Sequence, residues 1–292
     1  MRLLMVDKVL LAALVKFLGK AELPASQFTT IQRNSLDRFA RQTGAVSCQR
    51  QGRGETYRVV NLALFETHLK ALSPGMKGLE EGDIPLRARN IADNRYSKTG
   101  AHRHEHYYLL LKAVGDNVLW RETGRGVELP LTQATRNFGA ASLAVDADDS
   151  WSTESDLWLV ENQALFDRTD WLPSGTVATV LYYGGQLNGL LLKWLGSRPR
   201  AAKVIHFPDY DGVGMANFNR LRAALGERCN FWLMPDWDLK LDRYGSTQLW
   251  RDTLRDFASA SPLLPEYLGP LADQMRQTGR ALEQESVWLP VR

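Results

Sequence analysis

The sequence predicts an α/β protein in two parts, a small domain of helices and a hairpin followed by a domain built on a parallel sheet. Three observations predict it. Short, nearly continuous apolar runs alternate with helical stretches across residues 151–292, and such runs are strands buried on both faces, as in a parallel sheet. Ahead of them, residues 1–72 read as amphipathic helices followed by a Gly-rich hairpin. The composition, 44% hydrophobic and 24% charged over 292 residues, is that of a globular chain long enough for two domains. It excludes disordered, collagen-like and coiled-coil classes.

In the first part, Leu3, Val6, Leu10, Leu14 and Phe17 recur at three and four residues and predict an opening helix, which Leu23-Pro24 breaks. Thr29 and Thr30 are N-cap candidates for a helix to about Thr43, with Leu36, Phe39 and Ala40 on one face and Asn34, Arg38 and Arg41 on another. Gly44 ends it. Ala45–Gln49 and Glu55–Val60 then flank the turn Arg50-Gln51-Gly52-Arg53-Gly54 as a β-hairpin. Helices followed by a hairpin with arginines at its tip is the order of a winged helix. Residues 1–72 are therefore expected to bind DNA, with Arg38, Arg41, Arg50, Arg53 and Arg58 as groove and phosphate contacts. The alternative is an arginine-rich solvated surface or a protein-binding winged helix.

Residues 73–150 read as a Pro/Gly-punctuated connector and a mixed α+β segment. Tyr107–Val114 is a strand or short helix, Val118–Thr123 a strand, and the acidic run Asp146-Ala147-Asp148-Asp149 a boundary. Beyond it, strands are expected at Leu157–Glu161, Thr176–Tyr183, Ala202–Phe207 and Cys229–Met234. Helices are expected at Gln163–Thr169, Leu187–Leu195 and from about Gly214 to Leu225, with more helices toward the C-terminus.

The net charge of +3 is unevenly placed: residues 1–100 carry 16 Lys and Arg against 9 Asp and Glu, and the remainder 20 against 24. A basic front and an acidic back suit a protein that holds a polyanion with one part and a divalent metal with the other, or simply two differing surfaces. Two cysteines and no CxxC exclude a disulfide framework and zinc–thiolate chemistry and point to a reducing cytoplasm. The early apolar run Val9–Val15, flanked by Lys8 and Lys16, is too short to cross a bilayer, so no membrane partner is expected.

Ligands of open α/β sheets sit beyond the carboxyl ends of the strands. Glu161 ends the first apolar strand of this domain, and Pro208-Asp209-Tyr210-Asp211-Gly212 follows the third. Asp209 and Asp211 lie two apart in an extended stretch, so both side chains face one way. Carboxylates aimed together repel one another unless a cation sits between them, and hard oxygen donors suit one or two Mg²⁺ or Mn²⁺ ions. Glu161 would join the metal shell or move a proton. A lone DxD is more often a solvated turn before a helix; the second acidic strand end strengthens the site reading.

This arrangement resembles the Toprim fold of topoisomerases, primases and a set of nucleases, whose signature is a Glu after the first strand and a DxD after the third. Val160-Glu161-Asn162 and Phe207-Pro208-Asp209-Tyr210-Asp211-Gly212-Val213-Gly214 match those places, within a resemblance covering about residues 155–240. A winged helix ahead of a Toprim (Rossmann-like, parallel-sheet) domain is similar to the DNA-cleaving subunit of topoisomerase VI. It looks still more like the Toprim nuclease subunit of Wadjet/MksBEFG-type bacterial SMC plasmid-defence systems, the JetD/MksG-like group, whose LEQE ending resembles Leu282-Glu283-Gln284-Glu285.

The resemblance implies a cytoplasmic, nucleoid-associated, dimeric DNA endonuclease that acts on plasmid or foreign double-stranded DNA. Its implied partners are an SMC-like ATPase, a kleisin and an accessory winged-helix subunit. The topoisomerase relative needs a tyrosine nucleophile in its winged helix. Residues 30–43 contain none, and Tyr57, in the hairpin, is expected to pack there. Losing that tyrosine turns strand transfer into hydrolysis by metal-activated water. A non-catalytic DNA-binding or assembly subunit with a Toprim fold, and a strand-cleaving enzyme of the topoisomerase VI kind, stand as alternatives.

Further features remain. Gly184 and Gly185, after the second strand, form either a phosphate-receiving turn at a helix start or a plain tight turn. Asp236 and Asp238 after the fourth strand compete for the metal, add to its ligands, or make a turn. Glu283 and Glu285 would reach the site if a C-terminal helix folds back. His102, His104 and His106 share one side of a strand as zinc ligands would, but read better as a polar or nucleic-acid-facing segment. His206 is expected to be a packed, satisfied histidine. The nine tryptophans are mostly core, with Trp237 and Trp250 the candidates for exposure.

Overall fold

The computed structural model describes residues 2–51, 54–72, 87–88, 90–91, 106–146, 148–185 and 187–291, without the side chains of residues 2–7 and 51. Arg53, His102 and His104 lie outside the described residues. The chain divides into two compact units, Met1–His104 and Glu105–Arg292.

The first unit runs α1 (Arg2–Leu14), β1 (Glu22–Pro24), α2 (Thr30–Thr43), β2 (Val46–Gln51), β3 (Gly54–Val59) and α3 (Leu62–Leu72). Helix α2 starts where its capping chemistry dictates. The Thr29 hydroxyl accepts from the Gln32 N–H, and the Gln32 side chain accepts from the Thr29 N–H, a reciprocal capping box. Gly44 closes it in the left-handed conformation, φ 66°. Helix α1 ends at Leu14, so Phe17 packs from a separate short turn, Val15–Phe17. The Leu23-Pro24 break is more than a break: β1 pairs antiparallel with β3, giving a three-stranded sheet in the order β1-β3-β2. Proline is tolerated there because β1 is an edge strand. Leu14, Phe17, Phe28, Leu36, Phe39, Tyr57 and Phe65 form the core.

The second unit holds two sheets. Its strands are β4 (Tyr107–Val114), β5 (Leu119–Glu122), β6 (Val127–Pro130), β7 (Ala141–Val145), β8 (Trp151–Thr153), β9 (Asp156–Val160), β10 (Ala178–Tyr182), β11 (Val204–Phe207) and β12 (Cys229–Phe231). Its helices are α4 (Leu131–Phe138), α5 (Gln163–Asp167), α6 (Gly189–Ser197), α7 (Gly212–Leu225), α8 (Trp237–Tyr244), α9 (Thr247–Ala260) and α10 (Gly269–Thr278). The main sheet has the order β12-β11-β9-β10-β4-β7, and β6-β5-β8 form the smaller one. The four strands β12, β11, β9 and β10 are parallel, as the apolar runs predict, while β4 and β7 add antiparallel. The burial pattern explains the change. Leu157, Leu159, Val160, Val180 and Leu181 are fully buried, whereas on β4 buried Leu109 and Leu111 alternate with exposed Tyr108 and Leu110. Parallel strands need cover on both faces; an antiparallel flank does not.

The mixed segment ahead of residue 150 is therefore part of the second unit, and the acidic run is no boundary. Strands β4 and β7 complete the main sheet, and β5 and β6 pair with β8 and each other to make the smaller one. Asp149 lies inside the unit. Its carboxylate accepts from Arg200 Nη1 at 2.8 Å and from Trp194 Nε1 at 2.9 Å, in a pocket where the Arg200 side chain is wholly buried. Arg200 also donates to the carbonyls of Asp149, Trp151 and Trp194 and to the Ser197 hydroxyl, so each guanidinium nitrogen has a partner. Trp237 and Trp250 are half-buried against the core rather than exposed. Among the described residues, no helix is long and apolar enough to cross a membrane.

Removing one partner of a buried pair strands the other's charge, at a cost of about 3–5 kcal/mol. Asp149→Ala is therefore expected to lower the unfolding free energy by about 3 kcal/mol or more in urea titrations. Exposed Asp148→Ala should stay within about 0.5 kcal/mol of the parent.

Candidate functional site

The order of the main sheet sets where a site forms. From β9 the chain moves to β10 on one side, then returns past β9 to place β11 and β12 on the other. Strands β9 and β11 are thus adjacent and parallel with their outgoing connections on opposite sides, a topological switch point. Val160 pairs with Phe207 at the last step of the ladder, so Glu161 and the Pro208-Asp209 stretch leave the sheet side by side.

Alternation then sorts the DxD. Tyr210 is fully buried, its backbone bridging Leu282 and its hydroxyl donating to the Trp232 carbonyl. Asp209 and Asp211, on either side of it in extended backbone, project the other way. The turn reading of the motif is also partly realised. Asp211 is the N-cap of α7, accepting from the Gly214 N–H at 2.7 Å, yet it is buried rather than solvated. Glycine is required beside it. A Cβ on Gly214 would stand 2.1 Å from the Asp209 carbonyl oxygen, and one on Gly212 would stand 2.1 Å from the Thr253 carbonyl oxygen.

The C-terminal segment completes the cluster: an extended return at Ala281 and Leu282 leads into a short 3₁₀ helix, Gln284–Trp288, whose first turn carries Gln284 and Glu285. Ala281 pairs with Ser246, and Leu282 with Tyr210. The chain then delivers Gln284, fully buried, whose N–H donates to Asp209 Oδ1 at 2.8 Å. The Gln284 side-chain oxygen accepts from the Asn162 N–H at 3.3 Å. Asn162 Nδ2 donates to Glu285 Oε2 at 2.9 Å and lies 3.4 Å from Asp209 Oδ1. Tyr183, just past β10, donates to Glu161 Oε2 at 3.2 Å and contacts His206 Nε2 at 3.0 Å.

Glu161, Asp209, Asp211 and Glu285 are thereby gathered where water is scarce. Burial, then the Asp211 and Glu285 charges, push the Glu161 carboxyl up to about 7; the Tyr183 hydrogen bond opposes them. Burial, with the charges of Glu161, Asp211 and Glu285, raises Asp209 to about 8 against the Gln284 N–H. Burial raises Asp211 as well. The named charges acting on Glu161 and Asp209 are all negative, a donor set whose chemistry fits a hard divalent cation. Among the described residues, no three His, Cys, Asp or Glu side chains stand close enough to hold an ion together.

Other expected residues fall elsewhere. Asp236 and Asp238 are exposed at the start of α8; Asp236 adopts a left-handed cap conformation (φ 53°), and its charge acts on buried Lys240. Glu283 is exposed, because alternation turns it outward while Leu282 and Gln284 turn in. Gly184 and Gly185 have φ of 64° and 81° and make a tight turn. Helix α6 begins only at Gly189, and Asn188 caps it by accepting from the Leu190 N–H. That separates the glycines from the helix start a phosphate would use. His106 lies 3.8 Å from Asp146. His206 is packed as expected, but only Nε2 finds a partner; Nδ1 has none.

In the first unit, Arg38, Arg41, Arg50 and Arg58 are all exposed. Arg41 Nε donates to the Asp37 carbonyl at 3.2 Å, and Arg58 stands 4.0 Å from Glu22. Tyr57 is buried and donates to Asp37 Oδ1 at 2.7 Å. Sequence reading passed over Asn162, Gln284 and the Tyr183 hydroxyl as functional groups. The available signal was a glutamine at a core-facing position of an alternating segment.

The second unit is thus a mixed α/β domain with an acidic cluster at the switch point of its parallel strands. The chain belongs to the family described as Domain of unknown function (DUF7281), whose model matches residues 107–289, nearly the whole of that unit. No curated protein matches the chain.

Burial pushes the His206 imidazole down to about 3. The unfolded chain takes up that proton below about 6.5 while the folded one does not until about 3, so the folded state loses stability as pH falls between them. Urea titrations at pH 7 and pH 5 should show the parent losing more stability than His206→Gln, by up to about 1.4 kcal/mol per pH unit. Equal losses would contradict a buried neutral imidazole.

Proposed function

We propose that this protein is a divalent-metal-dependent DNA endonuclease, with a Toprim-type second unit and a winged-helix first unit. The observation that carries the reading is the convergence of Glu161, Asp209 and Asp211, with Glu285, at the switch point between β9 and β11. Asp209 and Asp211 would hold one or two Mg²⁺ or Mn²⁺ ions, with Glu161 and Glu285 beside them. A bound cation there supplies polarisation of a phosphate and a hydroxide generated near neutral pH.

The remaining work belongs to the chain. Gln284 and Asn162 orient Asp209 and Glu285, and the backbone N–H groups of Gly214 and Val213 hold the Asp211 carboxylate. Glu161, with a carboxyl near neutrality, is suited to take a proton from water or return one to the leaving oxygen. The exposed arginines Arg38, Arg41, Arg50 and Arg58 support DNA binding by the first unit. The Tyr57 hydroxyl, buried and engaged with Asp37, favours hydrolysis over a tyrosine-linked strand transfer. By resemblance, the cellular setting is a nucleoid-associated SMC complex with its kleisin and accessory subunits, acting as a homodimer against plasmid DNA.

A second reading, a non-catalytic DNA-binding or assembly subunit, draws support from the absence among the described residues of three acids close enough to share an ion.

One assay separates the two. Supercoiled plasmid incubated with protein and Mn²⁺ or Mg²⁺ should be nicked or linearised, and Asp209→Ala and Asp211→Ala should abolish cleavage while leaving DNA binding intact. Cleavage that persists in both variants sinks the assignment; an inert parent favours the assembly role. For the first unit, Arg38→Ala should weaken binding across sequences and reduce the slope of log affinity against log salt by about 1.

A further inference from the structure

Two buried polar groups near the acids have no part in holding a cation: the Tyr183 hydroxyl and the His206 imidazole. They sit on the strands that flank β9, His206 within β11 and Tyr183 just past β10. Both are almost sealed from solvent, His206 completely. Packing alone does not call for them. A phenylalanine and a leucine would fill similar space, with no nitrogen left unpartnered in the core.

Donor and acceptor chemistry gives the contact a direction. Tyr183 has one hydroxyl proton, and it is donated to Glu161 Oε2 at 3.2 Å. With Glu161 ionised and accepting that proton, the 3.0 Å contact with His206 Nε2 requires that nitrogen to carry a proton and donate to the tyrosine oxygen. In a neutral ring Nδ1 is then a bare acceptor, and Nδ1 is the buried atom without a partner. An unpartnered acceptor is tolerated better than an unpartnered N–H, so a second observation selects the same tautomer. The ring lies parallel to Phe218 (centroids 6.3 Å apart, planes at 9°) and edge-on to Phe231 (6.2 Å, 87°).

We propose that His206 and Tyr183 are positioning residues for Glu161. The one-way chain from His206 Nε2–H to the Tyr183 oxygen, and from the Tyr183 O–H to Glu161 Oε2, sets which way the carboxylate faces. The effect on turnover rests on the nuclease reading; the hydrogen-bond chain itself does not.

Two measurements test it. In metal-free protein labelled with ¹⁵N-histidine, NMR correlations should show His206 as the Nε2–H tautomer, with shifts that move in Tyr183→Phe. An Nδ1–H tautomer overturns the relay whatever the activity. In the Mn²⁺ plasmid assay, Tyr183→Phe should lower kcat by about 10- to 100-fold with KM for plasmid unchanged, the usual scale for a group that orients a ligand. His206→Leu should lower kcat similarly, the double variant should be no worse than Tyr183→Phe alone, and His206→Gln, which keeps a donor, should recover most of the rate. Unchanged kcat in Tyr183→Phe, or additive losses in the double variant, overturns the positioning role. If the parent itself leaves plasmid intact, the nuclease reading has failed, and the tautomer alone decides whether the chain of hydrogen bonds exists.

Discussion

Mutual repulsion among carboxylates, Asp211 buried and Glu161, Asp209 and Glu285 half-buried, is the constraint around which the candidate site of the second unit is arranged. Glu161 and Asp209 leave adjacent strands side by side, Asp211 caps the next helix, and Glu285 returns from the far end of the chain. In a low-dielectric setting such a group is tolerated only if its members are neutralised, hydrogen-bonded or bound to a cation. The fold supplies donors from separate elements: Tyr183 beyond β10, Asn162 beyond β9, the Gly214 N–H in α7, and the Gln284 N–H in the closing segment. The C-terminal return is therefore part of the site rather than an appendage to it.

The opposite approach to the same strands handles charge differently. Arg200, ahead of β11, and Asp149, ahead of β8 and β9, are buried as a matched pair with every guanidinium nitrogen partnered. A compensated pair supports the fold but leaves little for a ligand to gain. Uncompensated acids at the carboxyl ends cost stability and leave a cation a great deal to gain. This contrast between two buried ionic groups, more than the presence of acids, marks one end of the sheet as the candidate site.

Much of this was legible in the chain because the relevant signals are local. Thr29 and Gly44 bracket α2 through capping chemistry that needs only its neighbours. The central strands announce themselves as apolar runs, and the two-residue spacing of Asp209 and Asp211 sends both to one side wherever that backbone is extended. What was missed depends on pairing between distant segments. Strands β4 and β7 belong to the main sheet because Leu109 and Leu111 alternate with exposed residues, a pattern equally consistent with a separate segment until a partner is specified. The acidic run resembled a solvated boundary because nothing near Asp149 in sequence reveals Arg200.

By itself the sequence determined the alternation of strands and helices, the parallel character of the central strands, and the placement of Glu161, Asp209 and Asp211 at strand ends, since periodicity and capping act over a few residues. Only the tertiary structure decided which other acids join them. It brought Glu285 in, left Glu283, Asp236 and Asp238 exposed, and set Gly184 and Gly185 in a turn ahead of the α6 start. It also placed Tyr183, His206, Asn162 and Gln284 around the cluster. The physical reason is that a buried charge is governed by whatever donors and charges surround it in space, and strand order and chain return, not sequence neighbourhood, choose those surroundings.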